Sequence, residues 1–202
     1  MGSPCCVELR FGIESGSDRV LERTKKGFRA ADVLPILGEA TKILPRTDAF
    51  YMWGFPFETM EDFHQTVFQM IAARMLGARV LPSLLCFLPQ TDVYMEVGPE
   101  CLEFCEELLP EYMVTGHEVC GGSRMRIAER HSHIFDFIRE HKDLFPGFFH
   151  YDLAGNVLPK LEVLQEFGFY IRDDVSALAT SADAPESCGA HSPRLGTAQL
   201  RA

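Results

Sequence analysis

The 202 residues carry a formal net charge of −10, with 47% hydrophobic and 24% charged side chains, the make-up of one ordinary globular domain or most of one. The acidic balance argues against a broad electrostatic grip on nucleic acid, which needs clustered Lys and Arg, and no apolar run reaches the roughly 18 to 20 residues of a membrane span. Met1-Gly2-Ser3-Pro4 lacks the charged-then-apolar pattern of a signal peptide, so the expectation is a cytoplasmic chain with neither nucleic-acid nor membrane partners.

Taken in chain order, Cys6 to Ile13 alternates apolar side chains at Val7, Leu9, Phe11 and Ile13, which predicts a first strand over about 7–13. Val33, Ile36, Leu37, Ala40, Ile43 and Leu44 recur at three and four residues and predict a helix. Asp32 is its expected cap, with Pro35 in the first turn, where a missing N–H costs little. A second strand is expected over 49–53. Phe63, Val67, Met70, Ile71 and Met75 mark the next helix, with Thr59 as cap, Glu61 and Asp62 at the positive end of its dipole and Gly77 as terminator. A third strand is expected over 79–87. Strands separated by helical crossovers imply a parallel α/β arrangement.

The pattern then changes. Pro99–Leu108, His131–Leu144 and Asn156–Phe167 read as helices, the last capped by Asn156 and ended by Gly168, and residues 168–171 read as a short final strand. After about Val175 the composition is small and polar, so 175–202 is expected to be a disordered tail. The division expected is therefore 1–95, 96–174 and 175–202.

Three segments carry chemistry. Phe11-Gly12-Ile13-Glu14-Ser15-Gly16-Ser17-Asp18 is a strand running through a glycine-broken turn into a helix. Such a turn bares backbone N–H groups beside acceptors suited to a polar ligand. The structural alternative is that Gly16 makes the turn and Ser17 caps the helix. Trp53-Gly54-Phe55-Pro56-Phe57-Glu58-Thr59 and Leu88-Pro89-Gln90-Thr91-Asp92-Val93-Tyr94 each follow a predicted strand, where α/β barrels place their ligand sites. Cys101 and Cys105 stand one helical turn apart on the predicted helix, and His117, Cys120, His131 and His133 form a looser group. Neither has a standard metal-ligand spacing, so no metal site is assigned. The seven cysteines, odd in number and irregular in spacing, read as reduced thiols.

In this order, Gly-Ile-Glu-Ser-Gly-Ser-Asp, the basic–glycine pair Lys26-Gly27, Gly-x-Pro-x-Glu-Thr and Pro-x-Thr-x-x-Tyr resemble the radical S-adenosylmethionine (SAM) superfamily over about Val7 to Tyr94. The branch resembled includes methylthiotransferases, coproporphyrinogen-type enzymes and enzymes with a cobalamin-binding domain, and the cobalamin-domain class looks closest. The resemblance implies an α/β fold: strands four to six of a partial (β/α)6 barrel, followed by a mostly helical C-terminal region. It implies that Glu14, Ser15 and Ser17 hold the ribose and methionyl part of SAM, that Lys26 meets its carboxylate, and that Gly54, Phe55 and Pro56 form a backbone wall against the adenine. The chain departs from the family at Phe57 and Gln90, where glycine is usual.

The family's four-iron cluster is bound through Cys-x3-Cys-x2-Cys. In this chain Cys101-x3-Cys105 is followed at the third position by Leu108. The resemblance thus implies SAM, a [4Fe-4S] cluster and, for the class named, cobalamin as cofactors of a full-length enzyme. None is expected to be tightly bound to this chain alone, which is expected to be inactive without a partner supplying the N-terminal half of the barrel. Two other readings stand beside this one: a non-catalytic, truncated or partner-binding half-barrel, and an unrelated nucleotide- or phosphate-binding α/β domain. A half-barrel also predicts inner-face residues such as Phe11 and Ile13 left partly uncovered.

Overall fold

The structure, a computed structural model, describes residues 7–105, 108 and 133–169. Strands β1 (Glu8–Glu14), β2 (Arg46–Trp53) and β3 (Arg79–Leu84) form a parallel sheet in the order β1-β2-β3. Helices α1 (Asp18–Arg23) and α2 (Ala30–Ile43) connect β1 to β2, and α3 (Met60–Met75) connects β2 to β3. Parallel neighbours require such crossovers, because a tight turn returns the chain antiparallel.

Side-chain alternation gives the sheet two faces. Ala49, Tyr51 and Trp53 of β2 pack with Val33 and Leu37 of α2 and with Phe63, Val67 and Met70 of α3. Phe11 is in register with Ala49, and Ile13 is buried in the same core. Both residues therefore lie on the helix-covered face, where Ile13 is buried, contrary to the expectation that it is left partly uncovered, while Phe11 is only partly buried. The opposite face carries the rows Gly12–Phe50–Leu81 and Arg10–Asp48–Arg79. In the latter, Arg79 donates to Asp48 from Nε at 2.9 Å and Nη2 at 2.6 Å. Burial alone would raise the Asp48 pKa, but hydrogen bonds from Arg79 and Arg46 prevail and lower it.

Helix α3 begins as its sequence predicts. Thr59 Oγ1 accepts from Asp62 N at 3.2 Å, Asp62 Oδ2 accepts from Thr59 N at 2.9 Å, and Gly77 follows the helix at φ +92°. Helix α2 starts earlier than expected. Arg29 is its cap residue, and Asp32 sits at the third helical position with its carboxylate accepting from Arg29 N at 3.0 Å. Pro35 consequently lies inside the helix.

Beyond β3, helix α4 (Asp92–Val97) is capped by Thr91. The predicted helix over Pro99–Leu108 is replaced by a 3-10 turn (Pro99–Cys101) and strand β4 (Leu102–Phe104), which pairs antiparallel with β5 (Phe149–Tyr151). Cys101 and Cys105 are therefore separated by extended chain and do not share a helical face. Between the strands lies α5 (His133–Glu140), and after β5 a π-turn (Leu153–Val157) leads into α6 (Leu158–Glu166). Asp152, at φ 47°, caps that turn by accepting from Gly155 N at 2.9 Å. Asn156 is not the cap, and its side chain points inward. Gly168, at φ 64°, follows α6 as expected. A second core joins Phe55, Leu85, Phe87 and Tyr94 to Leu102, Phe135, Ile138 and Phe149. No helix among the described residues is long and apolar enough to cross a membrane. The expectations for Cys5, Cys6, His117, Cys120, His131, residues 170–171 and the tail lie outside the described residues.

Candidate ligand site at the strand ends

The loops after β1, β2 and β3 begin at the same end of the parallel sheet, since Glu14 is in register with Tyr51 and Trp53 with Leu84. The first loop starts with a strained step. The β1–β2 register shifts between Gly12 and Glu14, and Glu14 has φ 71°, a conformation most L-residues avoid. The bulge carries Glu14 over Gly12 to meet Lys26, with Nζ to Oε1 at 2.7 Å, while the same ammonium donates to Gly12 O at 3.1 Å. Both side chains keep part of their surface in solvent, which leaves one carboxylate and one ammonium available at the mouth of the loop.

Ser15 and Ser17 turn the other way. Ser15 is fully buried with its Oγ 2.8 Å from Thr66 Oγ1, and Ser17 Oγ donates to Asp62 Oδ1 at 2.6 Å. Ser17 occupies the cap position of α1 but makes no side-chain cap bond there. Gly16 allows this docking: a Cβ on it would lie 2.6 Å from Gln65 O and 2.8 Å from Thr66 Cα. Asp62 collects Ser17, Thr59 and the Arg19 guanidinium. Burial works to raise its pKa, but Arg19 leads the hydrogen bonds that drive it far below the usual carboxylate range.

The second loop is built on Gly54, at φ +87°, where a Cβ would also meet Leu84 Cδ1 at 2.8 Å. Phe55 is buried in the second core, and Pro56 is partly exposed. Phe57 is not among the residues with positive φ, so the position where the family has glycine accepts a side chain here. Its ring stacks on Phe55 with centroids 5.2 Å apart and lies under Arg23 at 4.6 Å. Arg23, Pro56, Phe57, Val93, Glu96 and Tyr151 help line a cavity of about 360 Å³ beside this loop. In the third loop Gln90 has φ 66°, the left-handed turn that the family's glycine would make without strain.

Sequence reasoning missed the residues that hold the second loop. Glu58 Oε2 accepts from Gly54 N at 3.0 Å and from Lys160 Nζ at 2.8 Å, and Asn156 Nδ2 donates to Gly54 O at 3.0 Å. Burial pushes Glu58 up and Lys160 down, while their mutual attraction opposes both shifts. One signal was present: Lys160 stands among Val157, Leu161 and Leu164 on the apolar stripe of its helix.

The arrangement offers hydrogen-bond acceptors, one cation and a glycine-shaped backbone, a set that fits a polar nucleoside-like ligand such as SAM. Thiolates for an iron–sulfur cluster are another matter. Cys86, Cys101 and Cys105 are not joined in disulfides, and among the described residues no group of three His, Cys, Asp or Glu is placed to hold a metal. The described residues therefore do not fit a four-iron cluster.

No protein-family profile matches the chain. Three named relatives share a limited stretch. The chain is 38% identical over 73 residues to tRNA-2-methylthio-N(6)-dimethylallyladenosine synthase of Bifidobacterium longum subsp. infantis, covering 35% of this chain and 15% of that protein. Identity to the same-named enzyme of Corynebacterium efficiens is 39% over 77 residues, 36% of this chain and 14% of the relative. With that of Nocardia farcinica it is 36% over 77 residues, 36% and 15%. The matched part thus spans about 15% of the relatives' length. These similarities support the radical SAM superfamily through methylthiolating enzymes, and not the cobalamin class.

Proposed function

We propose that the chain is part of a radical SAM enzyme, with β1 to β3 serving as strands four to six of a partial (β/α)6 barrel and their loops forming one side of a SAM pocket. The observation that carries this reading is the convergence of the Glu14–Lys26 pair and the Gly54 loop at the same ends of adjacent parallel strands. The relatives favour the methylthiotransferase branch over one using cobalamin. Bound SAM, beside a four-iron cluster in the full-length enzyme, supplies the radical chemistry. The residues of this chain bind and orient it.

In this reading Glu14 accepts from ligand hydroxyl or amino groups and Lys26 meets the carboxylate. Gly54, Phe55 and Pro56 flank the adenine. Ser15 and Ser17 contribute by fixing the β1–α1 turn, because their hydroxyls are bonded to Thr66 and Asp62. Each ligand contact is worth on the order of 1 kcal/mol net, and association entropy consumes several. The chain alone therefore binds SAM no better than millimolar and is inactive without a partner that brings Cys-x3-Cys-x2-Cys and the first barrel strands. The relatives' names refer to a tRNA nucleoside. With a net charge of −10, these 202 residues are not assigned the RNA-contacting surface. Cysteines outside any disulfide at positions 86, 101 and 105 suit a cytoplasmic setting.

Photolabelling with an 8-azido-adenosyl SAM analogue tests the site. In a complex of the chain with a co-expressed upstream half carrying the cluster motif, the label is expected within residues 53–58, and excess SAM should compete it away. Competable labelling confined to α4 or the β4–β5 pair would overturn the assignment.

A further inference from the structure

Two residues beyond the stretch of resemblance reach into the Gly54 loop. Lys160 is 1% exposed, and its ammonium donates to Glu58 Oε2 at 2.8 Å, Glu58 O at 3.1 Å and Asn156 Oδ1 at 2.5 Å. Glu58 N in turn closes the loop by donating to Phe55 O at 3.1 Å. The Gly54 peptide groups are held from both sides, the N–H by Glu58 and the C=O by Asn156. We propose that Lys160, acting through Glu58 and Asn156, is a positioning residue that fixes the Gly54–Glu58 backbone for the adenosyl end of the ligand.

Stability alone is a poor reason for this arrangement. A buried ion pair contributes little beyond what well-packed apolar side chains of the same volume would, and replacing one is often neutral or stabilising. The neighbours Val157, Leu161 and Leu164 are apolar, so a leucine at 160 would suit the packing. What a leucine cannot do is orient a carboxylate toward the N–H of a glycine at φ +87°. The network links the Asn156–Lys160 segment to a loop 102 residues earlier in the chain, so the geometry of that loop is set jointly by its own Gly54 and Glu58 and by the C-terminal segment.

The inference rests on the proposed SAM site, and the test separates the two. In the complex with the cluster-bearing half, Lys160→Met, Asn156→Ala and the double variant Glu58→Gln/Lys160→Met are compared with the wild type. The readouts are amide hydrogen exchange and the KM and kcat for SAM cleavage. Asn156→Ala leaves no lone buried charge, and the double variant removes both charges, so at least these two are expected to fold. Exchange over 54–59 is expected to rise about tenfold or more while the β2 amides at 49–51 change by less than about threefold, a local opening. KM for SAM should rise by a similar factor, with kcat within about threefold, the signature of lost ground-state positioning. A uniform rise in exchange across β2 and the loop, or a loosened loop with unchanged KM, would overturn the proposal. A wild-type complex that never cleaves SAM would overturn the site reading instead, and with it the ligand half of this proposal. A loop-confined rise in exchange would still establish the clamp.

Discussion

Ser17 and Asp62 are joined by a buried 2.6 Å hydrogen bond that ties the turn after β1 to the first turn of α3. Asp62 also closes the α3 capping box and receives Arg19, so a single carboxylate holds two loops of the site in place. Replacing it by alanine leaves the Ser17 hydroxyl and the Thr59 amide without their acceptor. The expected loss is about 2–4 kcal/mol of unfolding free energy, read from urea denaturation.

The same residue sets an acid dependence. Its pKa is depressed in the folded state, so its stabilisation is complete above the unfolded carboxylate value of about 4 and is lost as pH falls through the lower folded value. Wild-type stability should drop steeply below about pH 4, and Asp62→Asn should be less stable at neutral pH but flatter over that range. Parallel acid limbs in the two proteins would contradict the assignment.

His150, buried on β5, gives a second and separable pH effect. Burial, opposed in part by the backbone of Leu108, lowers its pKa to about 4. The unfolded chain therefore takes up a proton near pH 6.5 that the folded chain refuses, and stability declines from there down to the folded value, by on the order of 3 kcal/mol in all. His150→Leu is expected to abolish the decline between pH 6.5 and pH 4 while leaving the Asp62 limb below it. The check is denaturation midpoints at half-unit pH intervals.

Backbone geometry separates three positions. Gly16→Ala forces a Cβ against the α3 backbone and should destabilise by about 2–3 kcal/mol. Gly27→Ala meets open space but has φ +72°, so about 1 kcal/mol is expected. Gln90→Gly relieves a left-handed glutamine and should stabilise by about 0.5 kcal/mol, the strain released less the entropy of glycine. Equal effects at Gly16 and Gly27 would mean that the β1–α1 turn is not held against α3.

Much of the sheet was legible because its signals are local. Alternation marked β1, Thr59 followed by Glu61 and Asp62 marked the start of α3, and Gly77 marked its end. Facing was not legible. The pattern at Phe11 and Ile13 says that one side is apolar, not whether helices or a barrel interior will cover it. Leu102-Glu103-Phe104 became a strand because it pairs with Phe149-His150-Tyr151, a partner that a local helical pattern cannot reveal. Asn156 has the chemistry of a cap, but it lies inside the turn that Asp152 precedes and caps, which frees Asn156 to bind Gly54. At the site, Ser15 and Ser17 had the right composition for a ligand, and only the depth of the Gly16 contact reveals that their hydroxyls face α3.

The most direct measurement is 5′-deoxyadenosine formation. The chain is reconstituted anaerobically with iron, sulfide, reductant and SAM, both alone and with a co-expressed upstream half bearing Cys-x3-Cys-x2-Cys. The account predicts no product from the chain alone, product from the pair, at least a tenfold loss on Glu14→Ala by removal of a charged hydrogen-bond acceptor worth roughly 1.5–3 kcal/mol, and no loss on Cys101→Ala. Product from the chain alone, with a reduced four-iron signal in its electron paramagnetic resonance spectrum, or full activity of the Glu14→Ala pair, would contradict it.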